Sequence, residues 1–508
     1  MGILFFLFSV CLIVFYSSFK YGFVSDDYNR ITIHSWNQLF EAWRVVNLRR
    51  PLDELYYFSF YKLFGYNPLP YRLFLLGVYV LNSFLVYRLI RSVTKNQMIG
   101  VLVAILFAAN TVQFRNIYWI SCNLLLFATT FYLLAALFFL DYLEGKGKQR
   151  YLASFMIALA GVLLTKEDLV TFPVTALMIS GYLVLSRKGS IGNRDFSLIL
   201  RPGIIFWSIP FLFVGYRTVT SMIFGGREEC PYNLFDCLNT DAASPHRVSF
   251  LGFHIFENLA RQWFWNIGSF GAYWVMKPFS QYAGFFEWRS LGGIEYVIVL
   301  GSLTGLFLLY WVVRRSISWW YLIIGVIWFI GGLSPTMILP EYSQTYFSAF
   351  PAIGLFMAVV IPLRAIMSYW NIGVTRVAVT GLMMIFLMNS LYWMRWNEPV
   401  NPITKSSAIL QQLEKDVKKI YPVFPSHTNL GFLNLGNWWL GYNIAPKVMY
   451  NDFTLNVFSG EDFLQRGGKI YSKKEGLDKT NTHIFLKTSQ GFREVTPAFF
   501  KEYGGVIQ

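Results

Sequence analysis

Charge is scarce in this chain. Only 14% of its 508 residues are Asp, Glu, Lys or Arg, where a soluble domain carries roughly 25%, so a soluble enzyme and a disordered chain are both excluded. Four cysteines are too few for a disulfide-rich secreted scaffold. The five histidines, at 34, 246, 254, 427 and 483, are scattered and mostly in polar segments, which leaves a histidine-based acyltransferase among apolar helices nothing to work with. There is no G-x-x-x-x-G-K-[ST] loop, no G-x-G-x-x-G after a strand and no H-E-x-x-H pair, which removes the commonest phosphate-cradling, dinucleotide and zinc-helix chemistries. No fixed-period repeat and no Asn-x-Ser/Thr sequon occurs; the latter is a faint pointer to a bacterial chain.

What the chain has instead is apolar length. Hydrophobic residues make up 55% and aromatics 19%, gathered in about eleven runs of the length that crosses the ~30 Å bilayer core as a helix. The expected spans are 2–19, 71–90, 98–114, 118–140, 151–165, 168–186, 203–224, 294–313, 319–338, 346–367 and 375–394. The first lacks a basic leading region and is followed by Phe19-Lys20-Tyr21, so it reads as a retained span and not a cleaved signal.

The formal charge of +15 is distributed in a telling way. Arg88, Arg91 and Lys95; Lys146, Lys148 and Arg150; Arg187, Lys188, Arg194 and Arg201; Arg314 and Arg315; Arg364 and Arg376 fill every second connection, the positive-inside pattern of cytoplasmic loops. Basic residues spread over separate loops do not make a nucleic-acid face. The amino terminus is then cytoplasmic, and segments 20–70, 225–293 and 395–508 lie outside. Cys230 and Cys237, in the large outer loop with six residues between them, are a disulfide candidate in an oxidising compartment or two free thiols; their spacing does not suit zinc.

The outer segments are where polar groups can converge. Trp36–Val46 and Leu52–Phe64 are amphipathic and read as interfacial helices, with Trp36, Trp43, Tyr56, Tyr57 and Tyr61 as headgroup-level anchors. Residues 254–290 repeat the theme with Trp263, Trp265, Tyr273, Trp274 and Trp288, either as an aromatic belt or as the wall of a carbohydrate or lipid groove. From about 400 the chain reads as a helix over Ser406–Ile420, stopped by Pro422 and Pro425, and then short strands such as Leu430–Leu435 and His483–Lys487 between turns at Gly460, Gly467 and Gly468. The expected architecture is therefore an all-α polytopic membrane domain, 1–398, with a small extracytoplasmic α/β domain, 399–508.

Ionisable groups beside spans are functional candidates by default. Asp26-Asp27, in FVSDDY directly after the first span, are either a general-base pair, with burial and mutual repulsion raising proton affinity, or a solvated pair capping the next helix. Thr165-Lys166-Glu167-Asp168 sits between the fifth and sixth spans as a solvated hairpin or a phosphate contact. Arg49-Arg50 precede the second interfacial helix, where guanidinium forks suit phosphate oxygens. Glu341 and Tyr342 occupy the short outer turn between spans nine and ten. All four clusters fall on one membrane face, as a site acting on a lipid-linked phosphate requires.

Taken together, FVSDDY, the RRPL string, LFGYNPLPYRLFLLGVYVLNSFLVYRLI and TKEDLVTFPV resemble the GT-C membrane glycosyltransferases. The closest flavour is that of the protein O-mannosyltransferase-like group, including the tetratricopeptide-repeat-bearing enzymes and their bacterial relatives. The likeness is strongest over 20–180, and YFSAFPAIGL at 346–355 is a weaker version of a later motif. Two departures stand out: Thr345-Tyr346 replace an acid and Arg that precede that motif in the repeat-bearing relatives, and the repeat array is absent.

The resemblance implies a GT-C fold and an inverting glycosyltransferase. It would move a sugar from a polyprenyl-phosphate donor to an acceptor hydroxyl of a glycan, lipid or protein outside the cytoplasm of, by expectation, a bacterial inner membrane. A site on the outer face has no access to cytoplasmic nucleotide sugars, which agrees with a membrane-borne donor. By the family's usual order Asp26 is the base and Asp27 orients the acceptor or shares the charge. Lys166, Arg50 and Arg49 would hold the donor phosphate, and Glu167, Asp168, Glu341 and Tyr342 would contact acceptor or donor. No cofactor is required, although adjacent acids are also able to hold Mg²⁺ or Mn²⁺. The expected partners are the lipid-linked donor, membrane lipid and the acceptor, with no nucleic acid. The alternative is a transporter or flippase of lipid-linked sugars, which should place charges or Gly/Pro breaks near mid-bilayer.

Overall fold

The computed structural model describes residues 2–45, 50–188, 196–224, 252–267, 293–338, 345–367, 372–466, 469–472 and 480–502. A helix stands at each of the eleven expected spans: α1 (Gly2–Phe15), α5 (Pro68–Thr94), α6 (Gln97–Ala109), α8 (Asn123–Leu143), α9 (Lys148–Leu164), α10 (Phe172–Lys188), α12 (Ser208–Phe224), α14 (Gly293–Val313), α15 (Trp320–Met337), α16 (Ala352–Met367) and α17 (Ile372–Asn397). Seven helical stretches among the described residues are long and apolar enough to cross a membrane alone, and α6 with the bent segment after it makes an eighth. The apolar parts of α14 and α16 are shorter, and α9 carries Lys148 and Arg150 in its first turn.

Local chemistry sets the helix ends. The Asn96 side chain accepts from the amides of Met98 and Ile99 and starts α6, while Lys95 just before it adopts the left-handed conformation that ends α5. Asn67 caps α5, with Pro68 in the first turn.

Inside the bundle, Asn82 on α5 donates to the Leu126 carbonyl at 2.9 Å and accepts from Thr130 on α8 at 2.7 Å, polar glue where lipid tails offer no hydrophobic drive. Helices α15 and α16 meet at a small-residue crossing. A Cβ on Gly354 would lie 2.6 Å from the Gly325 carbonyl, and one on Gly325 2.7 Å from the Gly354 carbonyl. One large apolar core joins α1, α5, α6, α8, α10 and α16, and a second forms around α13 (Phe253–Ile267), α14 and α15.

The third span departs from the sequence reading. It ends at Ala109, and residues 110–122 form a 3₁₀ turn, the short α7 (Phe114–Tyr118) and a second 3₁₀ turn, with the chain bent by 44° at the break. Asn110 causes the stop: its side chain accepts from the Val112 amide, as an Asx cap does. This polar inlay, with Asn110, Gln113, Arg115 and Asn116 all buried, lies beneath the first large loop.

That loop carries α2 (Asp26–Ile31), α3 (Trp36–Val45) and α4 (Pro51–Phe64). The two amphipathic helices are present, but Tyr56 and Tyr57 are not headgroup anchors: both are buried, Tyr56 donating to the Tyr71 carbonyl and Tyr57 to Asp27. Trp263 and Trp265 on α13 are likewise buried; Tyr273, Trp274 and Trp288 lie outside the described residues. Among the described residues, the remaining α-helix of the membrane part is α11 (Phe196–Gly203).

The tail begins with α18 (Pro402–Ile420) and has its own core. Its sheet has four strands in the order β2 (Asn456–Phe458), β1 (Asn429–Leu433), β5 (Thr482–Thr488), β6 (Gly491–Glu494). β1 runs parallel to both β2 and β5, and β6 runs antiparallel to β5. A separate hairpin pairs β3 (Phe463–Arg466) with β4 (Lys469–Ser472), and α19 (Ala445–Tyr450) and α20 (Thr496–Glu502) complete it.

Candidate active site

The chain leaves α1 and turns sharply at Ser25, whose φ of 47° is left-handed, to begin α2 with two acids in its first turn. The carboxylates then diverge. Asp27 is fully buried. Its Oδ2 accepts from the Val24 amide at 2.8 Å; its Oδ1 accepts from the Tyr57 hydroxyl at 2.8 Å, the Ser121 amide at 2.7 Å and the Ser121 hydroxyl at 2.5 Å. Burial pushes its carboxyl up, while Ser121, Tyr57, the Val24 amide and the nearby Arg72 guanidinium pull the other way.

Asp26 is half-buried and receives only the Ser25 hydroxyl, at 3.3 Å, from its own loop. From the tail, Gly441 packs on the Tyr28 ring of α2, which brings the neighbouring Tyr442 phenol under the electrostatic influence of Asp26. Burial, and then the Asp26 charge, push that phenol up to about 12.

Arg72 fixes the loop from below. Although it sits in α5 among apolar residues, it is wholly buried and donates to the carbonyls of Tyr21 (2.8 Å), Gly22 (2.6 Å), Ile117 (3.3 Å) and Tyr118 (2.9 Å). One guanidinium thus ties the strand entering the Asp pair to the inlay that supplies Ser121. A second brace is the pair of half-buried Arg30 and buried Asp53 between α2 and α4, with Asn123 donating to Asp53 at 2.8 Å.

A basic group forms where the loop before α4 meets the turn after α9. Arg50 precedes α4, and its Nη2 is 4.0 Å from the Glu167 carboxylate. Lys166 holds its ammonium 4.5 Å from the centre of the Phe347 ring. Burial would raise the Glu167 carboxyl, but Arg50, Lys166 and Arg217 outweigh it and hold it below the ordinary range, so it stays ionised beside the cations. Cys122, next to Ser121, feels the charges of Arg115 and Lys166 and of Asp27 and Asp26, which puts both sets of groups at the same end of the bundle. Behind Phe347, Ser348 accepts from the Asn266 amide at 2.9 Å, and Asn110 donates to Asn266 at 2.9 Å.

The structure therefore brings together Asp26, Asp27, Arg50, Lys166 and Glu167. Arg49, Glu341, Tyr342, Cys230 and Cys237 lie outside the described residues, as does the Asp168 side chain. Sequence reasoning missed Arg72, Tyr57, Ser121, Arg115 and Tyr442. An arginine inside an apolar run is itself a functional signal, so Arg72 was findable; the others have no local signature. Among the described residues no three His, Cys, Asp or Glu side chains gather as a metal site.

Comparison with known proteins bears on this arrangement. Residues 55–212 match the model of the dolichyl-phosphate-mannose-protein mannosyltransferase family. That match supports a GT-C membrane glycosyltransferase, as the strings around Asp26, Arg50 and Lys166 suggested. No curated protein matches over its sequence. Similar solved structures include ArnT from Cupriavidus metallidurans bound to undecaprenyl phosphate, with 12% identity, TM-score 0.48, and 96% of this chain and 94% of that one covered. The apo form of ArnT is also similar, at 12% identity and TM-score 0.47, with 90% and 85% covered.

Proposed function

We propose that this chain is an inverting glycosyltransferase that moves a sugar from a polyprenyl-phosphate donor to an acceptor hydroxyl. The observation that carries the reading is that one half-buried carboxylate, Asp26, and the Arg50–Glu167–Lys166 cluster stand at the same end of the bundle, on either side of the Ser121–Cys122 turn. The matched family takes its sugar from dolichyl phosphate, a polyprenyl phosphate, which supports the same donor class here.

The chemistry needs one base and one anion hole. Asp26 accepts the proton of the acceptor hydroxyl as its oxygen attacks the anomeric carbon from the face opposite the phosphate. The carbon–oxygen bond to phosphate breaks, and the electron pair leaves with the polyprenyl phosphate. Arg50 and Lys166 stabilise that charge, the preorganised electrostatic contribution that usually dominates. Arg49 would join them, and Asp168, Glu341 and Tyr342 would contact donor or acceptor. Asp27 is a positioning residue, because its oxygens are already occupied by four donors. Glu167 sets the spacing of the cations.

The end bearing these residues is assigned to the extracytoplasmic side of a bacterial cytoplasmic membrane. Lys95 pairs with Glu144, and Lys146 with Asp141 at 2.6 Å and Glu144 at 3.1 Å, at the opposite end, where the positive-inside rule puts the cytoplasm.

The test is release of polyprenyl phosphate from a panel of polyprenyl-phosphate sugars by the protein in lipid nanodiscs, with envelope extract as acceptor. Release from one donor above a protein-free control is expected. Translocation of lipid-linked sugar in vesicles without release would favour the transporter reading and overturn this one.

A further inference from the structure

At the end of the bundle opposite the Asp pair, five helices leave a cavity of about 320 Å³, within the size range of sites that hold small molecules. It is bounded by the last turns of α5, α10 and α16 and the first turns of α6 and α15. Val93, Ile99 and Ile361 give it an apolar wall, and Thr94, Ser186, Tyr321 and Arg364 a polar one.

The polar groups are not equivalent. The Thr94 hydroxyl donates to the Ile90 carbonyl at 2.7 Å and the Ser186 hydroxyl to the Leu183 carbonyl at 3.0 Å, so both protons are committed to their own helices. Tyr321 engages only its backbone carbonyl, which accepts from Tyr182 at 3.3 Å; its hydroxyl bonds to no described residue. Arg364 is half-buried, its Nε is shut from water without a hydrogen-bond partner, and its guanidinium pairs with no described residue. A partly desolvated cation without a counter-charge is costly.

No carboxylate at this end is available to offset that cost. Among the described residues the acids here are Asp141 and Glu144, and Lys95, Lys146 and Arg150 already surround them. The neighbouring connections add cations: Arg187 follows Ser186, and Arg314 and Arg315 lie between α14 and α15, all three exposed.

We infer that this cavity binds the phosphodiester of an anionic glycerophospholipid from the facing leaflet, with Arg364 and Tyr321 donating to the phosphate oxygens. Guanidinium–phosphate contacts are among the strong, charge-assisted hydrogen bonds. Three features favour a lipid over a soluble phosphate or a zwitterionic headgroup. The cavity lies at the ends of the spans, at headgroup depth; a bare phosphate ion would leave its apolar wall against water, where glycerol and the first acyl carbons cover it; and the surrounding cations repel a headgroup ammonium. Basic pockets between membrane helices on the cytoplasmic side suit such headgroups, and the loop charges assign this end to that side. The site stands apart from the reaction at Asp26 and does not depend on it.

The experiment is a native mass spectrometry titration of the full chain in detergent with phosphatidylglycerol or phosphatidylcholine, and with inorganic phosphate as competitor. One phosphatidylglycerol should bind about ten-fold more tightly than phosphatidylcholine. Arg364→Gln should weaken phosphatidylglycerol by about ten-fold or more, the worth of one charge-assisted hydrogen bond, and Tyr321→Phe should weaken it less. Arg88→Gln, at an exposed cation of the same basic end that does not line the cavity, should leave the affinity unchanged. Phosphatidylglycerol should also raise the unfolding temperature of the native chain and of Arg88→Gln, but not of Arg364→Gln. Without added lipid all four proteins should unfold together, because the groups removed bond to no described residue. Equal weakening by Arg88→Gln and Arg364→Gln would reduce the effect to the general charge of this face and overturn the inference. Displacement of the lipid by millimolar inorganic phosphate would make this a soluble-anion site and overturn the lipid assignment. Early unfolding of Arg364→Gln without lipid would reveal an internal partner for the guanidinium and overturn it as well.

Discussion

Replacing Asp27 with Ala removes the acceptor for four donors at once, from Val24, Tyr57 and Ser121. Each buried donor left unsatisfied costs about 1–3 kcal/mol, so Asp27→Ala should lower thermal stability markedly and activity only as a consequence. Asp26→Asn, at a half-buried side chain with one long bond from its own loop, should move stability by no more than about 0.5 kcal/mol; a comparable loss in both variants would contradict the division of labour. At the basic side, Lys166→Ala should lower kcat/KM for the polyprenyl-phosphate donor by about a hundred-fold, and an unchanged donor dependence would remove Lys166 from the phosphate site. Both acids and Lys166 were legible in the sequence because charge beside a span is rare enough to be noticed. Their opposite environments were not, because Ser121 and Tyr57 reach Asp27 only after the chain has folded back on itself.

Helices show the same boundary between what is local and what is not. Long apolar runs announced α5, α8 and α10, and the prolines and glycines after 420 announced the change to strands. The inlay at 110–122 escaped because its apolar residues fit the edges of two spans equally well, and only the Asn110 cap shows where the helix stops. Amphipathic α4 was placed correctly, yet Tyr56 and Tyr57 were read as headgroup-level anchors and are buried, since periodicity gives a face and not what covers it.

Two predictions belong to elements. Gly354→Ala should destabilise by about 1–3 kcal/mol, because the added Cβ meets the Gly325 carbonyl and Trp328 on α15; unchanged thermal unfolding would contradict so close a crossing. In the tail, burial would raise the Glu494 carboxyl, but His483, Thr496 and Tyr421 hold it below its ordinary 4.5. A depressed carboxyl stabilises the fold above its unfolded value, and that contribution is lost as pH falls through the lower folded value. Glu494→Gln should therefore flatten the acid limb of tail unfolding below about pH 4.5, followed by circular dichroism.

Across the whole molecule, the helical bundle and the tail meet at the loop around Asp26, where Ser407 takes the Gly22 amide and Gly441 packs on Tyr28, and this meeting was invisible in the sequence because the partners lie near opposite ends of it. The membrane part supplies the cations and the loop, the inlay fixes Asp27, and the tail packs on the loop that carries the open carboxylate. The central claim is that Asp26 is the one base of a group transfer. The most direct test is polyprenyl phosphate release by Asp26→Asn in nanodiscs, with the productive donor and acceptor extract and with folding verified by thermal unfolding. A fall of about 10² to 10⁴ in rate with unfolding unchanged is the predicted result. Full turnover in the folded variant would contradict the account.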